Sequence, residues 1–264
     1  MSAPTFDVRA YMRNPYVMYP ADLDLGTMGS LSGPAMETLN YLWTVESHAL
    51  DRMRDLLVTP THAESRVTAF LSTWAHEQHW LGATLQALLS ANGRPPREPG
   101  DTQLGRILRA WDDRCRPTVA AIGTNLLNAD ITGAHMVTGW LDTAVVATVY
   151  RRLGGMEPAL GDLMRTVGRL KDRHMAFYAP EAHNRLADAA SARRVARVAV
   201  SRWRFPGTRY AGPAPARAAV AGFFADPGVR GAVAELDRTV ATFPGLTGAH
   251  PVRTALGHLT VVTI

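Results

Sequence analysis

The sequence predicts an all-α protein, an up-down helical bundle with extra C-terminal helices. Glycine and proline divide the chain into long segments whose apolar residues recur at three- and four-residue spacing, the period of a helix. No segment reads as a convincing strand. The segments run to roughly 20–30 residues and are joined by short connections, the pattern of antiparallel neighbours in a bundle.

Residues 1–31 read as an irregular arm, punctuated by Pro15 and Pro20. A helix is predicted from Ser32, an N-cap residue with Pro34 in the first turn, to Val58. Its stripe is Leu39, Leu42, Trp43, Leu50, Met53 and Leu57. The second, over 63–91, stripes through Val67, Phe70, Trp74, Gln78, Leu81, Leu85 and Leu88 and ends at Asn92-Gly93. A third, over 102–128, contains Pro117 and should kink there. The fourth, over 130–153, carries Met136, Gly139, Trp140, Thr143, Val146, Ala147 and Tyr150 before Gly154-Gly155. The fifth, over 157–178, carries Leu160, Met164, Val167, Lys171, His174 and Phe177, and a sixth covers 182–203. Two shorter helices, Ala216–Phe224 and Val229–Thr242, precede a less regular end. The chain thus divides into an arm (1–31), a bundle (32–204) and a C-terminal helical extension packed on it (205–264).

Composition narrows the class. With 264 residues, 47% hydrophobic and 19% charged, a packed soluble core is expected. No run of about 18 apolar residues exists to span a membrane, and Met1–Asn14 lacks the apolar core of a signal peptide. A lone cysteine, Cys115, cannot close an intramolecular disulfide, which fits a cytoplasmic location. The net charge of +5 does not imply nucleic acid, because the arginines are scattered along helices. The most basic stretch, Ala192–Arg204, reads as a solvated helix face or a patch toward an anionic substrate or partner. Among the 28 basic residues there is a single lysine, Lys171.

Polar residues interrupt four of the core stripes near mid-helix: Glu46, Gln78, Thr143, and Lys171 with His174. A buried charge without a partner is costly, so Glu46 and Lys171 are expected to find each other or another partner at an internal site.

Several segments carry a resemblance. Val45-Glu46-Ser47-His48, followed by Arg52 through Thr59, resembles the first helix of ferritin-like actinobacterial proteins related in pattern to acyl-carrier-protein desaturases. Trp74-Ala75-His76-Glu77-Gln78-His79-Trp80-Leu81-Gly82 is similar to their W-x-x-E-E-x-W-H-G motif. Gly139 through Tyr150 resembles G-x-x-x-E-x-x-T-x-x-x-Y, and Leu170 through Tyr178 resembles D-E-R-R-H-x-x-F-Y. Trp203 through Thr208 and Phe243 through Leu246 are similar to later segments, so the likeness spans roughly residues 5–250. It implies a ferritin-like fold and a homodimer. In di-iron members two helix pairs each give a Glu and a Glu-x-x-His. Here Glu46 and His174 match ligands, whereas Gln78, Leu81, Thr143 and Lys171 stand at the other four positions. One carboxylate, one imidazole and an added ammonium do not suit two iron ions. A single-metal site built from Glu46, His174 and one of His76, His79, Glu77, His48 or Asp142 is an alternative.

The leading expectation is a metal-independent enzyme with no cofactor, from natural-product biosynthesis, performing non-redox acid–base chemistry (cyclisation, isomerisation or elimination) on an apolar small molecule. Lys171 and Glu46 would form the acid–base pair, and His174 a second proton carrier. Gln78 and Thr143 would orient a carbonyl. Leu81, Trp74, Trp140, Phe70, Asp142 and His79 would complete an aromatic-lined substrate pocket. The alternatives are a ligand-binding pseudo-enzyme, in which Lys171–Glu46 is only a structural pair, and a non-haem oxidoreductase with an altered metal site.

Overall fold

The computed structural model describes residues 6–96, 130–208, 216–219 and 227–260. The helix expected over 102–128, with its Pro117 kink, and most of Ala216–Phe224 lie outside these. The described elements are α1 (Val8–Arg13), α2 (Gly33–Ser47), α3 (Ala49–Leu57), α4 (Ser65–Ala91), α5 (Asp130–Met156), α6 (Gly161–Asp188), α7 (Ala190–Ser201), α8 (Pro227–Thr242) and α9 (Pro251–Thr260), with short 3₁₀ turns between. No strand occurs among the described residues. The protein is an all-α helical bundle.

Two antiparallel hairpins form its centre. On α5 and α6, Gly154 lies against Met164, Gly139 against Tyr178 and Gly133 against Leu186, so positions advance in opposite directions along the two helices. On α2 and α4, Glu46 meets Gln78 and Glu37 meets Arg94. Gly139 is required where it stands, because a Cβ there would sit 2.6 Å from the Tyr178 ring. Behind α5, the C-terminal helices close the bundle, with Trp140 edge-on to Phe243 at 5.7 Å and Arg197 donating to the Gly245 carbonyl at 2.7 Å.

Three boundaries differ from expectation. The helix predicted over 32–58 starts as foreseen, with Ser32 capping Ala35 N–H at 3.3 Å, but breaks at His48. There the imidazole Nδ1 stands 2.8 Å from the Thr44 carbonyl, the acceptor that the His48 amide would use in a continuous helix. The helix resumes as α3 at Ala49, and Leu50, a predicted core residue, is half exposed. At the other end, α6 does not stop near Tyr178. It runs through Pro180 to Asp188, since Glu181 and Arg185 in the added turns pair with Arg66 and Glu64. Likewise α5 continues through its two glycines to Met156.

The arm is a correction of a different kind. It is not irregular throughout, because Asp7 caps α1 by accepting from Ala10 N–H at 3.0 Å, and Val8 and Tyr11 on one face are buried. Six residues are too few to show a period. The arm then runs parallel to α4 and is tied to it along its length. Arg66 donates to the Phe6 carbonyl (2.7 Å), Tyr16 N–H to Glu77 (2.6 Å), Thr84 to the Met18 carbonyl (2.9 Å) and Asn92 to the Met28 carbonyl (3.1 Å).

The Gly139–Tyr178 contact gives a direct test. Gly139→Ala should lower unfolding free energy by about 1–3 kcal/mol through overpacking. Tyr178→Leu in the same chain should recover part of that loss, measured by urea titration.

Candidate functional site

Four helices place polar side chains in the interior, and these resolve into two adjacent networks. The first joins α2, α4, α5 and α6. Lys171 Nζ donates to Glu46 Oε1 at 2.6 Å and to Gln78 Oε1 at 3.0 Å. The Gln78 amide nitrogen donates to Glu46 Oε2, and the Tyr150 hydroxyl donates to Glu46 Oε1 at 3.0 Å. Both charged side chains are sealed from solvent, Lys171 at 2% and Glu46 at 0% exposure. Glu46 receives three donors, the coordination of an ionised carboxylate. Burial pulls the Lys171 ammonium below its ordinary value, and Glu46 works against that pull. Burial raises the Tyr150 phenol well above its ordinary value, and the Glu46 charge adds to it.

The second network lies one residue along α4 and one turn along α6. Glu77 is fully buried and accepts from the Tyr11 hydroxyl, from Tyr16 N–H at 2.6 Å and from His174 Nε2 at 2.8 Å. Arg173 stands 3.6 Å away and lies over the Tyr11 ring. Burial opposes ionisation of Glu77, but its hydrogen bonds outweigh burial and hold the carboxyl below its ordinary value. Burial also lowers His174, against the pull of Glu77. The resulting state is a Glu77 carboxylate and a neutral imidazole whose Nε2 carries the donated proton. Nδ1 therefore bears a lone pair. It is fully buried and has no hydrogen-bond partner, the one such side-chain atom among the described residues.

The predicted site residues thus separate. Glu46, Gln78 and Lys171 converge, as their stripe phase required. His174 is adjacent but bonded to Glu77 rather than to the Lys171–Glu46 pair. Thr143 is buried, yet its hydroxyl donates to the Gly139 carbonyl of its own helix at 2.7 Å and is not turned to the centre. Asp142, one residue away and so about 100° around α5, accepts from Arg52 at 2.5 Å and from the Trp203 indole N–H at 2.7 Å. Trp74 is buried beneath the Arg52 guanidinium, and Leu81 is fully buried. Trp140 faces the C-terminal segment, as described above. His79 is exposed, edge-on to Trp80, and so lies outside the site.

Phe70 stands in an aromatic cluster. It stacks on Phe177 at 3.8 Å and on Tyr11 at 5.2 Å, with Phe6 closing the cluster. Among the described residues, one cleft is lined by Arg151, Gly154, Met164 and Arg169 and another lies between α8 and α9; Glu46, Lys171 and His174 line neither of these.

Sequence reasoning missed Tyr150, Tyr11 and Arg173, and it offered Glu77 only as an alternative metal ligand. Tyr150 stands in its core stripe and in a motif, which mark its burial but not its bond to Glu46. Tyr11 lies in an arm without periodicity.

The arrangement does not fit a di-iron centre. Its one central carboxylate is already bonded to an ammonium, an amide and a phenol, leaving no anionic oxygen free for two cations. Among the described residues no group of three or more His, Cys, Asp or Glu side chains is placed to hold a metal ion. Fold and site together define an all-α bundle with a desolvated, hydrogen-bonded charge network at its centre. No protein-family model, curated protein or solved structure matches the chain.

Two outcomes follow. Lys171→Met or Glu46→Leu alone should destabilise the fold by about 3–5 kcal/mol, because each leaves a buried charge unpaired. The double variant should recover most of that in urea titrations. In acid, burial holds His174 low and His135 down to about 4, against an ordinary 6.5. The folded state therefore binds fewer protons than the unfolded one. Stability should be complete above pH 6.5 and fall as pH drops toward 4, and His135→Gln should flatten that slope in a pH series of thermal melts.

Proposed function

We propose that the chain is a ferritin-like protein in which an organic charge network takes the place of a di-iron centre, and that it is a metal-independent acid–base enzyme. Its substrate would be an apolar small molecule carrying a carbonyl, and its reaction a cyclisation, isomerisation or elimination within natural-product biosynthesis. One observation carries this reading. His174 Nδ1 is a buried lone pair without a donor, on the same helix as a buried ammonium. Orphaned buried polar atoms are rare, and clustered perturbed titratable groups mark working sites.

The roles follow from the bonds. The substrate carbonyl replaces Gln78 at Lys171, since that contact is the longer of the two that Lys171 makes. Glu46 holds the ammonium in place. Nδ1 accepts the substrate proton, and Glu77 stabilises the imidazolium that forms while Tyr11 and Tyr16 N–H fix its position.

One observation favours a second reading, a non-catalytic bundle. Lys171, Glu46 and Gln78 bond to one another, and they line neither of the two clefts described above.

Ring opening of a nitrobenzisoxazole, an elimination begun by proton abstraction, separates the two. The enzyme reading expects acceleration that falls by about 10²–10⁴ in His174→Asn and is also lost in Lys171→Met, with both variants folded. Acceleration retained in both variants, or stoichiometric iron or manganese in the purified protein, sinks it. Absence of any acceleration supports the non-catalytic bundle. Because Lys171 is the sole lysine, nitrogen-15 labelling gives one side-chain ammonium resonance whose pH titration reports the site directly.

A further inference from the structure

Three side chains at the bundle centre stand as an amide exchange requires: an amine, a carboxamide, and a carboxylate in contact with both. Lys171 Nζ lies 3.0 Å from the Gln78 carbonyl oxygen Oε1 and 2.6 Å from Glu46 Oε1. The other nitrogen of the exchange, Gln78 Nε2, donates to Oε2 of the same carboxylate. Glu46 therefore touches both the nitrogen that would attack and the nitrogen that would leave. The Tyr150 hydroxyl holds that carboxylate in place. All three side chains are buried, Gln78 at 5% exposure, so bulk water does not compete with the amine.

We propose that Lys171 and Gln78 join in an isopeptide bond, with release of ammonia and with Glu46 carrying the proton. Glu46 takes one proton from the ammonium, a transfer that desolvation favours because it removes two buried charges. Rotation of the Lys171 end carries Nζ from Oε1 to the adjoining Cδ. The amine lone pair forms the new C–N bond there, and the carbonyl π pair moves onto Oε1. Across the two edges of the Glu46 carboxyl, protons pass from Nζ to Nε2. The Cδ–Nε2 bond then breaks, its electron pair leaving on the departing nitrogen as the carbonyl re-forms. An ammonium and a primary amide thus become a secondary amide and an ammonium ion, and Glu46 returns to carboxylate. No oxidant, reductant or further reactant enters. Holding both partners in place replaces a bimolecular encounter, the main gain of an intramolecular reaction.

The bond would tie α4 to α6 across 93 residues of chain. It would staple one central hairpin to the other and restrict the unfolded chain. This reaction of the chain with itself does not rest on the acid–base reading. It is the fate of Lys171 where no substrate takes the place of Gln78, and a crosslinked chain has no ammonium left to hold a carbonyl.

Tryptic digestion of the full chain, incubated folded near neutral pH, tests the bond without any substrate. The intact mass should fall by one ammonia. Because the Asn92-Gly93 pair can also lose ammonia on ageing, the digest decides. Trypsin does not cut after an acylated lysine, so a branched peptide should join Val67–Arg97 to Leu170–Arg173. As Lys171 is the sole lysine, nitrogen-15 lysine labelling should show one amide N–H resonance growing as the ammonium resonance fades. Glu46→Gln should slow formation of the branched peptide by about 10²-fold or more, and Gln78→Leu should abolish it.

A folded chain that keeps its full mass and a cleavable Lys171 would overturn the proposal. So would equal crosslinking in urea, an unchanged rate in Glu46→Gln, or loss of water with Lys171 joined to Glu46 instead. If Glu46→Gln unfolds, the comparison of folded chain with urea-unfolded chain still decides.

Discussion

The structure depends on one desolvated cation, the Lys171 ammonium, and on the requirement that a counter-charge reach it. An isolated ammonium in a low-dielectric interior loses its proton or destabilises the fold. Here the requirement is met by Glu46, 2.6 Å away on a helix distant in sequence. Gln78 bridges the two and Tyr150 supplies a third donor to the carboxylate. Holding these four groups together brings both hairpins to one point. The local backbone is arranged around it: α2 ends one residue after Glu46, and Gly82 lets α4 approach the backbone of Ser47, where a Cβ would lie at 3.4 Å. The pair is better understood as a specificity device than as a source of stability, since apolar residues of similar volume commonly do as well or better.

Adjacent positions on the same helices serve different ends. Gln78 and Glu77 differ by about 100° around α4, and so one turns to Lys171 and the other toward the arm. Lys171 and His174 are divided in the same way. Glu77 consequently does two jobs: it orients His174, and through Tyr11 and Tyr16 it anchors the N-terminal segment along α4. The packing of Phe6, Tyr11, Phe70 and Phe177 seals that side, which keeps the His174 imidazole neutral and leaves Nδ1 without a donor.

Polar atoms close to the centre in sequence are drawn away from it wherever a nearer partner exists. The Thr143 hydroxyl bonds back to its own helix, as threonine does in a helix interior. Asp142 is taken by Arg52 and Trp203, linking α3, α5 and the segment after α7. These bonds make the interior more polar than a standard bundle core while leaving few of its atoms unsatisfied.

Much of this was legible from residue order alone. Apolar periodicity fixed the helical class, and the Ser32–Pro34 start and the Asn92-Gly93 end were readable because caps and breakers act locally. The meeting of Glu46, Gln78 and Lys171 was also readable, since each lies in phase with a stripe and buried opposite charges must pair. The break at His48, the passage of α6 through Pro180 and the fold of the arm were not. Each is decided by a partner far along the chain or by a side chain replacing a backbone bond, and neither leaves a period. The division of His174 from Lys171 likewise emerged only in three dimensions. Helix phase gives the face on which a side chain stands, but which of two nearby carboxylates it reaches depends on the distance between packed helices.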